Sequence, residues 1–215
     1  YIERDLPFLG LNATPALLRK FWTMLAGYHG GILNASSLSS ALDISAPTVR
    51  KYIYFLENAF LIRTLPPFFV NFNKRLVKAP KIYIRDSGVL HFLRHISSFE
   101  SLENNVLIGS SWEGYVLEQI IQLLPTRIQH YYYRTQAGTE CDLILAKGDT
   151  VVAAIEIKYS SAPEVTKGFI ISIQDLSPQN AFIVTPFSDD FLIRENIRVC
   201  NLVDFITIHL PKLIS

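Results

Sequence analysis

One stretch, ECDLILAKGDTVVAAIEIKYS at residues 140–160, constrains this chain more than any other. Two apolar, β-branched runs flank Lys147-Gly148-Asp149-Thr150, so the segment reads as two core strands joined by a tight turn. Charge is costly inside a sheet unless it is paired, yet Glu140, Asp142, Glu156 and Lys158 stand at alternate positions on these strands. The register decides where they go. A two-residue turn at Gly148-Asp149 sets Asp142 opposite Ile155 and sends the carboxylates to opposite faces. A three-residue loop, Gly148 to Thr150, sets Asp142 opposite Glu156 and Glu140 opposite Lys158. The second register is the one expected, because it gathers all four charges on one face. Like charges directly opposite repel, so a cation between Asp142 and Glu156 would complete the arrangement.

The surroundings extend the sheet. HYYYRTQ reads as a strand before the pair, an amphipathic helix opens at Pro163, NAFIVTP is a further strand, and IRVCN with LVDFITIHL closes the chain as strand and helix. In front stands SSWEGYVLEQIIQLL, a helix expected to start at Ser110. The order is helix, three strands, helix, strand: an α/β (α+β) unit with a mixed sheet. Glu113 has two readings. With Ser110 it has capping-box spacing, but it also shares a helix face with Val116, Leu117, Ile120 and Leu124, where a carboxylate would look for a partner in the sheet.

Charge divides the chain. Residues 1–98 hold twelve Lys and Arg against five Asp and Glu; residues 99–215 hold eight against fourteen. The basic half suits a polyanion. Within it, Thr14 and Pro15 open a helix with Leu17, Leu18, Phe21, Leu25 and Tyr28 at helical spacing. A short helix, a turn at Asp43-Ile44-Ser45 and a second helix with Val49, Ile53, Leu56 and Phe60 follow. Strands from Leu61 and from Lys81 complete the outline of a winged helix-turn-helix. The second helix would present Ser45, Thr48, Arg50, Lys51 and Tyr54, and the loop between the strands adds Lys74, Arg75 and Lys78. Thr48, Arg50, Lys51, Lys74 and Arg75 are the candidate DNA contacts. Two other readings stay open: a helical domain with a basic solvated face, or a winged helix that docks protein. The expected division is a winged-helix domain over 1–96, a linker over 97–109 and an α/β domain over 110–215.

Composition excludes several classes. Hydrophobic residues make up 49% and charged residues 18%, which supports a sizeable core and argues against long disorder. No apolar run approaches the ~18 residues of a membrane span, and there is no secretory signal. Cys141 and Cys200 lie in strand-like contexts without CxxC spacing, so the expected compartment is a reducing cytoplasm. The five histidines lack zinc spacing, and neither G-x-S-x-G nor GxxxxGK[ST] occurs. The chain begins at Tyr1, which fits a piece of something longer.

Glu113, Asp142 and Glu156-Ile157-Lys158, in the order helix, strand, strand, resemble the PD-(D/E)xK nuclease-like superfamily, whose fold is that of restriction endonucleases. YIERDLP, LAGYHGGILNASSLSSALDIS, TVRKYIYFLENAFLI, KIYIRDSGVL, YYYRTQAGTECDLIL and IEIKYS together resemble the bacterial and archaeal domain of unknown function 4143, which usually follows an AAA-type ATPase domain. The resemblance implies DNA as a partner and Mg²⁺ (or Mn²⁺) held by Asp142, Glu156 and the Ile157 carbonyl, completed by Glu113. It also implies Lys158 at the attacking water or the phosphate, and ATP bound only by an N-terminal ATPase domain that this chain lacks. Tyr159, Arg134 and Gln136 are further candidates for substrate contact. The superfamily also holds domains that keep the fold without cleavage, so the alternative is an inactive module that binds DNA or a protein partner for the ATPase. Oligomers are compatible with either.

Overall fold

The computed structural model describes residues 13–69 and 76–215. They fall into two compact units. The first takes the chain up to Thr64 together with Ala79–Leu107, and the second takes Leu65–Lys78 together with Ile108–Ser215.

In the first unit, Thr14 caps α1 (Pro15–Gly27) by accepting the Leu17 N–H, and Pro15 sits where its missing N–H is harmless. Leu18, Phe21, Trp22, Leu25 and Ala26 form its buried stripe. A two-residue strand, β1 (Gly31–Ile32), precedes α2 (Ala35–Leu42). Asp43 then turns left-handed at φ 54°, and Ser45 caps α3 (Ala46–Asn58). Strands β2 (Ile62–Leu65) and β3 (Lys81–Ile84) complete a three-stranded sheet ordered β1-β3-β2. The imidazole of His29 fixes β3 from within the core, its Nδ1 accepting the Ile84 N–H at 3.0 Å.

The structure departs from the expectations at several points. Phe60 leaves the helix stripe: α3 ends at Asn58, and Phe60 adopts φ 59° with its ring 75% exposed under the Arg85 guanidinium. Asp86 caps an unanticipated helix α4 (Ser87–Leu93) directly after β3. The stretch read as a linker carries α5 (Phe99–Glu103), closed by a reciprocal Ser98–Ser101 capping box, and its Leu102 is buried. Of the described residues joining β2 to β3, those at 66–69 and 76–78 belong to the second unit. There Phe68 N–H donates to the Tyr132 carbonyl, Tyr132 N–H to Pro66, and Val77 N–H to Arg134. These bonds cover the outer edge of a strand that would otherwise expose unpaired backbone groups.

That strand is β4 (Gln129–Arg134), the first of a six-stranded sheet. It is followed by β5 (Glu140–Lys147), β6 (Thr150–Ile157), β7 (Asn180–Thr185), β8 (Phe191–Arg194) and β9 (Ile197–Asn201), in spatial order β4-β5-β6-β7-β9-β8. The pairs β4–β5, β5–β6 and β8–β9 are antiparallel, while β6–β7 and β7–β9 are parallel. The unit is therefore α/β with a mixed sheet. Helix α6 (Ile108–Ile121) precedes the sheet, and α7 (Lys167–Leu176) makes the β6-to-β7 crossover. Phe169 of α7 packs with Ile144, Ala154 and Ile183 on one face. On the other, Phe182 meets Phe205 edge-on at 5.1 Å. Phe205 opens a π-helical turn, Phe205–His209, between the short helical pieces Leu202–Asp204 and Leu210–Ile214. The edge strand β8 was not anticipated, because its residues are mostly exposed and show no alternation. Helix α7 starts after Thr166, its N-cap, and not at Pro163.

Candidate functional site

The β5–β6 hairpin combines features of both expected registers. Lys147 faces Thr150 and Ala146 faces Val151, so the turn is the two-residue one, with Gly148 at φ 60° as its first residue. A bulge between Leu145 and Ala146 then shifts the ladder, and Leu145–Ala153, Ile144–Ala154 and Leu143–Ile155 follow the register of the longer loop. A second shift falls between Tyr131–Ile144 and Tyr133–Cys141, where β5 carries one residue more than β4. Asp142 sits at that irregularity. The ladder's paired positions end at Leu143–Ile155, and beyond them Asp142 Oδ2 accepts the backbone N–H of Ile157 at 2.9 Å. Bulges commonly re-aim a side chain in this way.

The four charges on β5, β6 and the residue after it thus divide into three local arrangements. Asp142 is held on the backbone of the Glu156-Ile157-Lys158 triplet. Glu140 pairs with Arg134 across β4 at 3.1 Å, where Lys158 had been expected. Lys158 Nζ lies 3.5 Å from Glu156 Oε1 on its own strand and donates to the Glu164 carbonyl at 2.6 Å. Glu156 is buried and accepts the Thr166 hydroxyl at 3.0 Å, which ties it to the cap of α7. Burial pushes its carboxyl above the ordinary carboxylate range; Lys158 and the Thr166 hydroxyl offset this in part, and the Glu140 charge adds to it.

Glu113 is half-buried on α6. Because α6 begins at Ile108, Ser110 lies inside the helix and the capping-box reading of Glu113 does not hold. Among the described residues, no three His, Cys, Asp or Glu side chains lie close enough to hold a metal ion together. The donors near the triplet are the carboxylates of Asp142 and Glu156 and the Ile157 carbonyl. That set is all oxygen and small in number, which fits Mg²⁺, an ion that keeps several waters and takes one or two carboxylates. It does not fit an ion caged wholly by protein.

On α3, Arg50, Lys51 and Tyr54 are exposed, as expected of an outer face. Thr48 is half-buried, its hydroxyl 2.8 Å from that of Ser45 and its N–H on the Ser45 cap, so it closes the start of the helix. Lys74 and Arg75 lie outside the described residues, and Lys78 is exposed in the second unit.

Sequence reasoning missed three features. Glu118 of α6 is only 3% exposed and takes a bond from Gln122 Nε2 at 3.4 Å. Its signal was available, since Ser111, Gly114, Glu118 and Ile121 recur at helical spacing and are all buried. Trp112 of the same helix stacks near Tyr115 and Tyr159, with centroids 5.9 and 6.3 Å away. Asp190 binds Arg198 Nη1 at 2.5 Å and His209 Nε2 at 2.8 Å, joining three residues with no sequence pattern.

The chain thus joins a helical unit with a small three-stranded sheet to an α/β unit with a six-stranded mixed sheet. Residues 108–205 match the model of the family described as Domain of unknown function (DUF4143). Residues 1–100, where the N-terminal motifs lie, match a different model, Domain of unknown function (DUF8612). Over 198 residues the chain is 39% identical to Uncharacterized protein Rv2008c of Mycobacterium tuberculosis and to Uncharacterized protein Mb2031c of Mycobacterium bovis. The match covers 92% of this chain and 44% of each relative, so the chain spans less than half the length of these proteins. A solved structure titled as a half-complex of Thermococcus gammatolerans McrB AAA+ hexamers with bound McrC is similar over 72% of this chain and 60% of that one. Its TM-score is 0.30 at 9% identity, too faint a likeness to argue from. Among the described residues, no helix is long and apolar enough to cross a membrane.

Proposed function

We propose that this chain is the DNA-binding, nuclease-like part of a longer protein that also carries an AAA-type ATPase domain. The observation that carries this reading is the junction of β5 and β6. There Asp142 is held on the backbone of Glu156-Ile157-Lys158, and a buried, charge-strained Glu156 stands beside a lysine. Asp142, Glu156 and the Ile157 carbonyl would hold Mg²⁺, which when bound polarises a phosphate and activates water. Lys158 would then offset charge developing on the phosphate. The element order of the first unit, helix–strand–helix–helix–strand–strand with strands ordered β1-β3-β2, supports a winged-helix reading. Exposed Arg50 and Lys51 on α3 suit phosphate contacts there. The greater length of the relatives leaves room for an ATPase domain.

A cleavage assay on duplex and single-stranded DNA with Mg²⁺ tests this. Lys158→Ala should abolish cleavage and keep metal-dependent stabilisation; cleavage at the wild-type rate in that variant removes the lysine from the chemistry. Replacing Arg50 and Lys51 together by Gln should reduce the salt dependence of DNA affinity by a slope of about 2. An unchanged slope returns that face to solvent.

A second reading has its own support. Lys158 is tied to the Glu164 carbonyl, and no three ligating side chains come together among the described residues. This favours a silent module that binds DNA or a partner for the ATPase without cutting. Cleavage that is absent while DNA binding persists would select it.

A further inference from the structure

We infer that the second unit takes unpaired nucleobases on an aromatic platform formed by Trp112, Tyr115 and Tyr159, so that its nucleic-acid ligand is single-stranded at this point. The inference rests on the nucleic-acid reading above and adds the state of the strand. Tyr159 lies just past the end of β6, next in sequence to Lys158. Trp112 and Tyr115 come from the first half of α6 and bracket Glu113 and Gly114. The Trp112 ring packs edge-on to Tyr159 and tilted toward Tyr115, and Tyr115 is 43% exposed, too open for a core residue.

A second observation points to a ligand. The indole Nε1 of Trp112 is buried and has no hydrogen-bond partner. Buried donors without partners are rare and call for a physical reason. A base carbonyl or phosphate oxygen entering beside Tyr115 would satisfy it. Simple packing explains the apolar body of Trp112 but leaves that donor unmet. Every base has a π face, so stacking of this kind binds single strands with little regard for sequence. Paired bases in a duplex keep their faces covered.

The test uses the whole chain and a short oligothymidine, read by tryptophan fluorescence, with a duplex of matched length measured in parallel. Quenching by oligothymidine is expected in the wild type. Trp112→Phe, which keeps an aromatic ring, should lose most of that signal, since Trp22 lies in the other unit. Tyr115→Ala should weaken oligothymidine binding by about 5- to 100-fold, the range typical of one lost stack, while Tyr115→Phe binds like the wild type. Affinity for duplex should be the same in all of them. Equal oligothymidine affinity in Tyr115→Ala and the wild type overturns the platform, as does quenching that survives undiminished in Trp112→Phe. If the wild type binds neither single strand nor duplex at low salt, the nucleic-acid reading fails and the platform with it.

Discussion

Two carboxylates on the same sheet are treated in opposite ways. Glu156, on the central strand β6, is buried, and its environment disfavours the charged form. For Asp190, before the edge strand β8, burial also works against the charge, but Arg198 and His209 outweigh it and hold the carboxyl below its ordinary range. What separates them is partners. Asp190 has a guanidinium and an imidazole within 2.5 and 2.8 Å, whereas Glu156 has a hydroxyl at 3.0 Å and an ammonium at 3.5 Å that is also committed to a carbonyl. A carboxylate that pays for burial without full compensation is the pattern of a functional group. One that is fully paired at a sheet edge is the pattern of a clasp.

The largest expected effect lies in the packing near each group. Phe169 packs with Ile144 and Ala154 of the strands that carry Asp142 and Glu156, and Phe205 meets Phe182, whose ring His209 also meets; both are fully buried. Either Phe→Ala change should cost about 3–5 kcal/mol, read as a lower urea midpoint. A loss under 1 kcal/mol at either site would mean that its face is not a packed core.

Next comes the charge itself, in metal-free buffer. Glu156 has a raised pKa, so between the ordinary glutamate value, about 4.3, and its folded value the native state binds more protons than the unfolded chain. Stability therefore falls as pH rises through that window. Glu156→Gln, which can still accept from Thr166, should raise the melting temperature at pH 7 and show a smaller gain near pH 4. A drop at pH 7 would mean that the Lys158 contact outweighs desolvation.

The smallest effect belongs to the clasp. Asp190 has a lowered pKa, so its contribution is present above the ordinary aspartate value, about 3.9, and is lost as pH falls through the folded value. It is partly exposed, so Asp190→Asn should destabilise by no more than about 1 kcal/mol at pH 7. The loss should fade at low pH, opposite in sign to Glu156→Gln. Thermal melts of both variants at two pH values decide whether the carboxylates differ as described.

Periodicity and caps made much of this fold legible. ECDLILAK forms the strand Glu140–Lys147, and Thr14 and Pro15 mark a helix start as their chemistry requires, whereas Ser45, read as a turn and outer-face residue, is the cap of α3. The mixed sheet followed from the order of elements. The bulges were not legible, because each depends on a neighbouring strand, and neither was the bond that Asp142 accepts from the Ile157 N–H beside one of them. The same limit hid the Glu140–Arg134 pair and the Asp190 clasp, which join residues only the folded sheet brings together. Strand β8 escaped because an edge strand with exposed side chains carries no apolar pattern.

Melting of the metal-free protein against rising Mg²⁺, for wild type and Asp142→Asn together, decides whether Asp142 and Glu156 hold a metal ion. A ligand that binds only the folded state stabilises it by mass action, by about 2.7 kcal/mol at a hundredfold excess over its dissociation constant. The account predicts a melting temperature that climbs with millimolar Mg²⁺ in the wild type and stays flat in Asp142→Asn, whose metal-free stability is little changed. A wild-type curve that ignores Mg²⁺, or an Asp142→Asn curve that climbs in parallel with it, would contradict the account.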